Sequence, residues 1–477
     1  MGKKYFDADD TEYTRKLAEY AVGVRYEDIP EEVLERARML TLHTIGTALA
    51  ARPVSLSASA VKVAEAANGG KGGEASVWLG GGKLSMAEAA FANGTLSDML
   101  DWEDCAWAGH PSAGVVPAAM AVSEGLHKSG KEYLEAVVAG YEVYQRVSMA
   151  VQPAADFDHN QGWALGNWQI FAASTPAGKL LGLDGGQMNQ AMGMSVLYAA
   201  MPTNLQQATM SNAYHYQYGI AAQNGILAAM CAKQGIESLN DCFDIPYAYC
   251  EQLTKEVDRS WLNRNLGETY YMMDVLVKHW PANMWVNTPV EMVDLMAKEY
   301  GIDYRNIEEI VVNPPTQYRM HYEKDGFDTL MAAQFSIPYV IAASLIDPQP
   351  GPNWYTGEMF RNPELLELAG KVKAGPDKED TLLGAFHIFQ EGSHPEKTVT
   401  ITMKDGTVYK KTQRTHKGHP LDMMSREEFC DRFRRQASFA LDQEQTERII
   451  DFVLNLDTVE DMSLFHELIR GDVGGVI

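Results

Sequence analysis

The chain has 477 residues, of which 46% are hydrophobic and 22% are charged, so its composition is that of a globular protein and excludes general disorder. A chain of this length exceeds what one ordinary core accommodates, which predicts two domains. The formal net charge of -24 repels polyanions and argues against nucleic acid as a partner.

The sequence also lacks the signals of a membrane or secreted protein. No apolar run reaches the ~18–20 residues that span a bilayer. The first ten residues turn acidic at once and do not contain the apolar stretch of a secretion signal. The five cysteines are scattered without a CxxC pair, which predicts free thiols in a reducing compartment. We therefore expect a soluble, cytoplasmic protein with no membrane contact.

The first half of the chain reads as a succession of helices. A start signal lies at residues 28–31, where Asp28 is the predicted N-cap, Pro30 falls in the first turn and Glu31 is placed for a capping box. Long stretches rich in small residues follow at 113–122, 176–183 and 220–232. Small residues at this density allow helices to approach closely, and they indicate a large helical core.

The pattern changes after about residue 261. Residues 307–312 form a β-rich run, and residues 398–403 and 407–411 flank Asp405-Gly406, a strong hairpin signal. A buried helix is predicted over 334–345, and the tail returns to helices with Ser425 as an N-cap. We predict a mainly α fold in which residues 1–265 and 416–477 form a helical domain and residues 266–415 form an inserted, smaller α+β lid domain.

One segment is much more specific than this general pattern. Residues 87–119 read AEAAFANGTLSDMLDWEDCAWAGHPSAGVVPAA. This run resembles the hallmark segment of the MmgE/PrpD family, which includes 2-methylcitrate dehydratases, cis-aconitate decarboxylases and iminodisuccinate epimerases. Further similar segments follow in the family's order, at residues 140–143 (GYEV), 177–183 (AGKLLGL), 278–282 (KHWPA) and 334–339 (QFSIPY). The resemblance spans most of the chain and implies a homodimer with a site between a helical domain and a lid.

The resemblance also implies a set of site residues. Asp101 and His110 match the family's site positions, and the crowded acids around them are the kind of group whose pKa shifts when like charges meet. Cys105 stands where the family often has a hydroxyl residue, and Lys278 is retained at the start of the lid. His159 is similar to a catalytic histidine of some members, although a count back from residues 177–179 places Trp163 there instead.

The sequence departs from the family at residues 211–225. The family has Lys-x-x-His-x-Gly here, and alignment on Gly219 puts Tyr214 and Gln217 at the two site positions. An insertion of two residues puts Asn212 and His215 there, and in both alignments the lysine is missing. We keep the full set of candidates, together with a lid tyrosine: catalytic Asp101, His110, His159 and His215, and substrate-binding Cys105, Trp163, Asn212, Tyr214, Gln217, Lys278 and Tyr318.

The resemblance implies a lyase that removes a proton beside a carboxylate and dehydrates or decarboxylates a hydroxylated organic acid. Such chemistry needs a positioned base, an acid and groups that hold the carboxylate. There is no Walker loop, dinucleotide fingerprint or HExxH motif, and we expect neither cofactor nor metal. Two alternatives remain: an isomerase or epimerase that uses the same proton abstraction, and a binding protein without activity.

The scarcity of lysine and arginine between residues 147 and 232, with several aromatic residues there, favours a substrate that has one or two carboxylates and a bulkier body than citrate-like acids.

Overall fold

The computed structural model describes residues 12–106, 108–153, 162–199, 209–378 and 395–470. The first half is helical, as the sequence predicts. Its helices are Tyr13–Gly23, Glu31–Ala50, Ser55–Ala67, Met86–Asp98, Ser112–Gly125, Gly130–Ala150, Gln169–Leu180, Gly185–Tyr198, Tyr216–Lys233, Tyr249–Leu253 and Ser260–Asn263.

The second half mixes helices with one larger sheet. The helices are Met284–Tyr300, Leu330–Gln334, Ile337–Ile346, Pro363–Ala369, Arg426–Ala437, Gln443–Leu454 and Phe465–Ile469. The four-stranded sheet has the order Val408–Gln413, Lys397–Met403, Ile307–Asn313 and Val372–Ala374. Its first three strands are antiparallel, and the last pairs in parallel with its neighbour. Both the strand at 307–313 and the hairpin around Asp405-Gly406 confirm the sequence predictions, and Gly406 adopts the positive φ of 88° that the turn requires.

Three two-residue ladders tie distant segments together within the described part of the chain. They pair Ala75–Ser76 with Lys83–Leu84, Asp104–Cys105 with Leu276–Val277, and Val151–Gln152 with Glu256–Val257. The second ladder joins the loop that follows Asp101 to the segment that precedes Lys278, and it is the one that builds the candidate site.

The C-terminal helices return to the first half of the chain. Phe429, Phe433 and Ile449 belong to the same buried apolar cluster as the helix Glu31–Ala50. The approach is close, because a Cβ at Gly46 would lie 2.4 Å from the side-chain oxygen of Gln436. A separate cluster contains the sheet and the helices Met284–Tyr300 and Ile337–Ile346. The fold is mainly helical, as predicted; the division into a helical domain and an inserted lid stays a prediction.

Two predicted element boundaries were wrong. The helix expected to begin behind Asp28 starts at Glu31, with Pro30 at the N-cap position and Asp28 in a short 3-10 turn before it. The buried helix expected over 334–345 begins three residues later, at Ile337, because Gln334 ends the preceding helix Leu330–Gln334 and Ser336 caps the next one by accepting a hydrogen bond from the Tyr339 amide. By contrast, Ser425 caps Arg426–Ala437 in a full capping box with Glu428, as the sequence indicates.

Candidate active site

The site begins at a tight turn at the end of the helix Met86–Asp98. The Asp101 amide donates to the Asp98 carbonyl at 2.8 Å, and Asp101 adopts a left-handed backbone conformation with φ of 48°. Such a conformation is unfavourable for most residues, tolerable for Asp and concentrated at functional sites. The turn therefore presents the side chains of Asp98, Asp101 and Glu103 close together inside the protein.

Lys278 reaches these acids through the short ladder described above. The register pairs Asp104 with Val277, which places Lys278 opposite Glu103. The C-terminal segment supports the same stretch: the Gly418 carbonyl accepts a hydrogen bond from the Val277 amide at 2.8 Å, and the Arg432 guanidinium donates to the Lys278 carbonyl. Three remote parts of the sequence thus fix the position of one lysine.

The result is a buried cluster of charges. The Lys278 ammonium donates to Asp101 Oδ1 and to Glu103 Oε1. His110 Nδ1 lies 2.8 Å from the same Glu103 oxygen and 2.9 Å from the Asp104 carbonyl, and since both oxygens are acceptors, Nδ1 carries a proton. The side chains of Asp101, Glu103 and Lys278 are fully buried and that of His110 nearly so.

The pKa values separate the two carboxylates. Burial raises the pKa of Asp101 to about 6 against the opposing attraction of Lys278. Burial acts in the same direction on Glu103, but Lys278 and His110 together hold the pKa of Glu103 below its ordinary value. Burial opposes the charge of Lys278 as well, yet the two carboxylates raise its pKa above the ordinary range. Glu103 and Lys278 therefore form a stable ion pair, while Asp101 can exchange a proton near neutral pH.

A chain of hydroxyls extends from His110. Tyr214 OH lies 3.5 Å from His110 Nε2, and Tyr218 OH donates to Tyr214 OH at 3.1 Å. Both tyrosines are buried, and burial raises the pKa of each well above its ordinary value, so both act as neutral donors. The ring of Tyr218 also packs edge-on against His110 at a centroid distance of 5.4 Å.

His215 lies beside this cluster and pairs with an acid that the sequence analysis did not select. His215 Nδ1 is 2.7 Å from Asp98 Oδ2, and both residues are fully buried. Gln334 is buried nearby, with its amide nitrogen donating to the Met99 carbonyl at 3.0 Å. Of the four candidates for the family's lysine and histidine positions, Tyr214 (a lysine position) and His215 (a histidine position) are the two that the structure brings next to the acids.

Asp104 and Cys105, which also belong to the segment 87–119, stabilise the loop that carries the site residues. Asp104 accepts hydrogen bonds from the Ser112 amide at 3.0 Å and from Tyr141 OH at 2.7 Å, and so anchors the start of the helix Ser112–Gly125. The Cys105 thiol is buried 3.2 Å from Met284 Sδ, and burial raises its pKa above the ordinary range. The environment of Cys105 is that of an unreactive buried thiol.

The remaining candidates lie at different places. Trp163 is buried with its indole N–H donating to the Val151 carbonyl at 3.1 Å, so its polar edge is engaged by the backbone. Asn212 Oδ1 accepts a hydrogen bond from the Met331 amide at 3.5 Å. Gln217 is buried in the first turn of the helix Tyr216–Lys233. Tyr318 is 44% exposed and stacks on Arg319. His159 lies outside the described residues.

Besides Asp98 and Gln334, sequence reasoning missed Arg319. This arginine is buried, its Nε donates to Asn283 Oδ1 at 3.1 Å, and its guanidinium lies 4.2 Å from the centre of the Phe335 ring. Phe335 in turn packs edge-on against Tyr214. The sequence around Arg319 contains no pattern that marks it as buried or as part of a site. Only the fold shows that the Phe335 ring lies between Arg319 and Tyr214.

Asp101, Glu103 and His110 offer ligand atoms that all lie within 4.8 Å of one another, a spacing that a metal ion accepts. The Lys278 ammonium, however, bonds both carboxylates. A metal cation at the same position would have to displace a charge of the same sign. The donor set therefore fits acid–base chemistry better than metal binding.

The chain that carries this arrangement of acids, histidines and lysine belongs to a known class of protein. Residues 15–261 match the model of the MmgE/PrpD N-terminal domain, and residues 280–458 match that of the MmgE/PrpD C-terminal domain. Since these matches cover most of the sequence, the chain belongs to the MmgE/PrpD family, as its motifs indicate.

Its curated relatives carry the names of lyases. The chain is 26% identical to a cis-aconitate decarboxylase of Aspergillus terreus over 489 residues, which cover 96% of both chains. It is 26% identical to the cis-aconitate decarboxylase of Homo sapiens over 96% of this chain and 94% of the relative. A probable 2-methylcitrate dehydratase of Saccharomyces cerevisiae is 24% identical over 68% of this chain and 66% of that protein. The prediction of an enzyme of the lyase class is confirmed, and no helix among the described residues is long and apolar enough to cross a membrane.

Proposed function

We propose that this enzyme is a cofactor-independent lyase that removes a proton next to a carboxylate and dehydrates or decarboxylates a hydroxylated organic acid. The observation that carries the proposal is the buried Lys278 between Asp101 and Glu103. Such a triad supplies an exchangeable carboxyl and a fixed cation in one water-poor place. The lyase names of the relatives support the same class of reaction.

In this proposal Asp101 is the base. A pKa of about 6 leaves Asp101 ionised at neutral pH and close enough to the operating pH for efficient proton transfer. Its Oδ2 has no hydrogen-bond partner among the described residues, so this oxygen is available for a substrate proton. The Lys278 ammonium stabilises the negative charge that develops when the proton leaves, because a fixed cation in a buried site needs no reorganisation.

We propose further that the substrate has one or two carboxylates and a body less polar than that of citrate-like acids. Three buried acids, Asp98, Asp101 and Glu103, surround a single lysine. A tricarboxylate requires several charge-assisted donors to offset its desolvation. Arg319 adds one buried cation beyond the Phe335 ring, which is enough for one carboxylate. The aromatic rings of Tyr214, Tyr218 and Phe335 offer apolar area beside the acids.

We also propose that the enzyme is a cytoplasmic homodimer whose helical domain consists of residues 1–265 and 416–477, with the site between this domain and the lid. The packing of Arg426–Ala437 on Glu31–Ala50 supports the domain division, and Arg426 pairs with Glu35 at 2.6 Å across this contact.

The experiment that tests the reaction class is a thermal-shift screen of organic acids followed by proton NMR of each stabilising acid, because ligand binding to the native state raises Tm. A lyase gives new product resonances and a change in mass. Exchange of solvent deuterium into unchanged substrate identifies an isomerase or epimerase instead, and binding without any change contradicts an enzymatic role.

The substrate proposal is tested by comparing kcat/KM for 2-methylcitrate, cis-aconitate and bulkier monocarboxylic hydroxy acids. The last group is expected to be turned over best. Efficient turnover of either tricarboxylate contradicts the substrate proposal while leaving the reaction class intact.

A further inference from the structure

Asp98 and His215 form a second buried acid–imidazole pair next to the lysine cluster. Asp98 is the last residue of the helix Met86–Asp98, and His215 immediately precedes the helix Tyr216–Lys233. The two helices touch, since a Cβ at Gly219 would collide with the Phe91 carbonyl. The pair is therefore held where two tightly packed helices meet, and its Nδ1–Oδ2 distance is 2.7 Å.

The two polar atoms of this pair that do not bond each other, His215 Nε2 and Asp98 Oδ1, indicate a place where a ligand could bind. Within the described part of the chain, His215 Nε2 and Asp98 Oδ1 make no hydrogen bond of regular geometry, although both residues are fully buried and the side chains of Gln334 and Glu103 interact with them. An unpaired buried polar atom costs ~1–3 kcal/mol, so a purely structural histidine would be expected to engage both nitrogens. Asp101 Oδ2 in the neighbouring cluster is likewise without a hydrogen-bond partner among the described residues.

The charges around the pair fix its protonation. Glu103 and Lys278 act on His215 from the lysine cluster, Asp101 acts on Asp98, and the Tyr214 ring packs edge-on against His215 at 5.6 Å. Burial lowers the pKa of His215 to about 4, and burial with the charge of Glu103 raises the pKa of Asp98 well above its ordinary value. The pair therefore holds one proton between its two members and is neutral as a unit.

This neutral state has a definite chemical consequence. Whether the shared proton sits on Asp98 or on His215 Nδ1, the outer nitrogen Nε2 also bears a proton. The pair thus presents an N–H donor to the site, whereas Asp101 presents a carboxylate. The buried site then holds two groups of opposite proton-transfer character, which is the pattern that separates an acid from a base in one active site.

We propose that His215 is the general acid of the reaction and that Asp98 is its positioning residue, a role that rests on the lyase function proposed above. In a dehydration, Asp101 takes the proton from carbon, the C–O bond breaks, and Nε2–H transfers its proton to the leaving hydroxyl to give water. In a decarboxylation, the C–C bond to the carboxylate breaks, carbon dioxide leaves, and the carbanion takes the Nε2 proton to form a C–H bond.

The shared proton makes this transfer favourable. As Nε2 loses its proton, the proton shared with Asp98 settles on Nδ1, and the negative charge that remains on Asp98 is compensated by Lys278. This device explains how the site works without the lysine that the family has in residues 211–225. The proposed acid is a histidine, and a carboxylate from another helix supplies the proton that keeps its ring neutral when Nε2 loses its own.

The test compares wild type with Asp98→Asn and His215→Gln. We expect kcat to fall by ~10²–10⁴-fold in both variants with KM changed only a few-fold. The wild-type kcat profile should fall at high pH as the pair loses its proton and at low pH as Asp101 is protonated. In Asp98→Asn the alkaline limb should disappear while the acid limb stays near pH 6.

A spectroscopic readout is independent of turnover. The shared proton should give a low-field imidazole N–H resonance in the histidine-labelled protein that is absent from His215→Gln and from Asp98→Asn. Asp244→Asn is the matched control: Asp244 is also a buried, hydrogen-bonded aspartate, but it binds the backbone of Tyr13 and Thr14 far from the site, and its variant should keep both the resonance and kcat.

The outcomes are distinct. The role of the pair is overturned if the wild type turns over a substrate and Asp98→Asn keeps the alkaline limb of the profile. It is also overturned if the wild type lacks the low-field resonance. Either result leaves the lyase function standing. Failure of the wild type to turn over any acid that binds overturns both proposals.

Discussion

Replacement of Lys278 by methionine is the most demanding test of the charge cluster. The substitution keeps the apolar stem of the side chain and removes the cation that bonds Asp101 and Glu103. Two buried carboxylates then face each other without their common partner. Breaking a buried ion pair by removing one member costs ~3–5 kcal/mol, because the remaining charge is left uncompensated. We expect Lys278→Met to be destabilised by this amount at pH 8.

The size of the effect must depend on pH. Without the lysine, both carboxyl groups acquire higher pKa values in the folded state than in the unfolded chain, so their protonation relieves the penalty as the pH falls. Folding entropy amounts to roughly 1 kcal/mol per degree for a chain of this length if it unfolds as one unit, so Tm should drop by roughly 3–5 °C at pH 8 and by less at pH 5.

The assay is differential scanning calorimetry at the two pH values. Lys131→Met is the control, since Lys131 is 47% exposed and pairs with Glu27, which is 72% exposed, and such a surface pair contributes ~0–1 kcal/mol. The triple variant Lys278→Met with Asp101→Asn and Glu103→Gln should recover part of the lost stability at pH 8. A Lys278→Met Tm equal to that of wild type, or an equal loss at both pH values, would refute the account of the cluster.

Three further predictions concern single groups. Asp101→Asn should lower kcat by at least ~10²-fold with little change in Tm, because asparagine tolerates the left-handed backbone at this position; retained turnover measured by NMR would remove Asp101 from the mechanism. The kcat/KM of wild type should fall below pH 6 as Asp101 is protonated, and a profile flat down to pH 4.5 would contradict the raised pKa. Glu124 is buried beside Ser76, and burial raises its pKa to about 8, so its contribution to stability is fully present below about pH 4.5 and is lost as the pH rises through 8. Glu124→Gln should therefore raise Tm relative to wild type more at pH 8 than at pH 5, with kcat unchanged.

Local signals in the sequence predicted several elements correctly. The Asp405-Gly406 turn sets its own strand pairing, and Ser425 with Glu428 marks a helix start through contacts three residues apart. The same reasoning failed at Asp28, where the 3-10 turn before Pro30 takes the place of a side-chain cap. It also failed at Phe335, whose ring leaves the helix to pack between Arg319 and Tyr214. Tertiary packing decided that boundary.

The site residues show the same division. Asp101, His110 and Lys278 were found through the family motif, and the structure brings them into one cluster. The pairing of Asp98 with His215 joins residues 117 positions apart in sequence, and a two-residue ladder decides where Lys278 lies. Neither interaction leaves a periodic or compositional trace, so only the folded chain reveals them.

The support of Lys278 by Gly418 and Arg432 has a consequence for synthesis of the protein. A ribosome makes the acids near residue 100 and the lysine at 278 long before it makes the residues that hold the backbone of that lysine in place. The backbone around Lys278 therefore gains these two supports only after Gly418 and Arg432 have been made and have left the exit tunnel. A nascent chain that stops before the helix Arg426–Ala437 lacks the hydrogen bond from Arg432 to the Lys278 carbonyl, so we expect its lysine to be held less firmly between the two carboxylates.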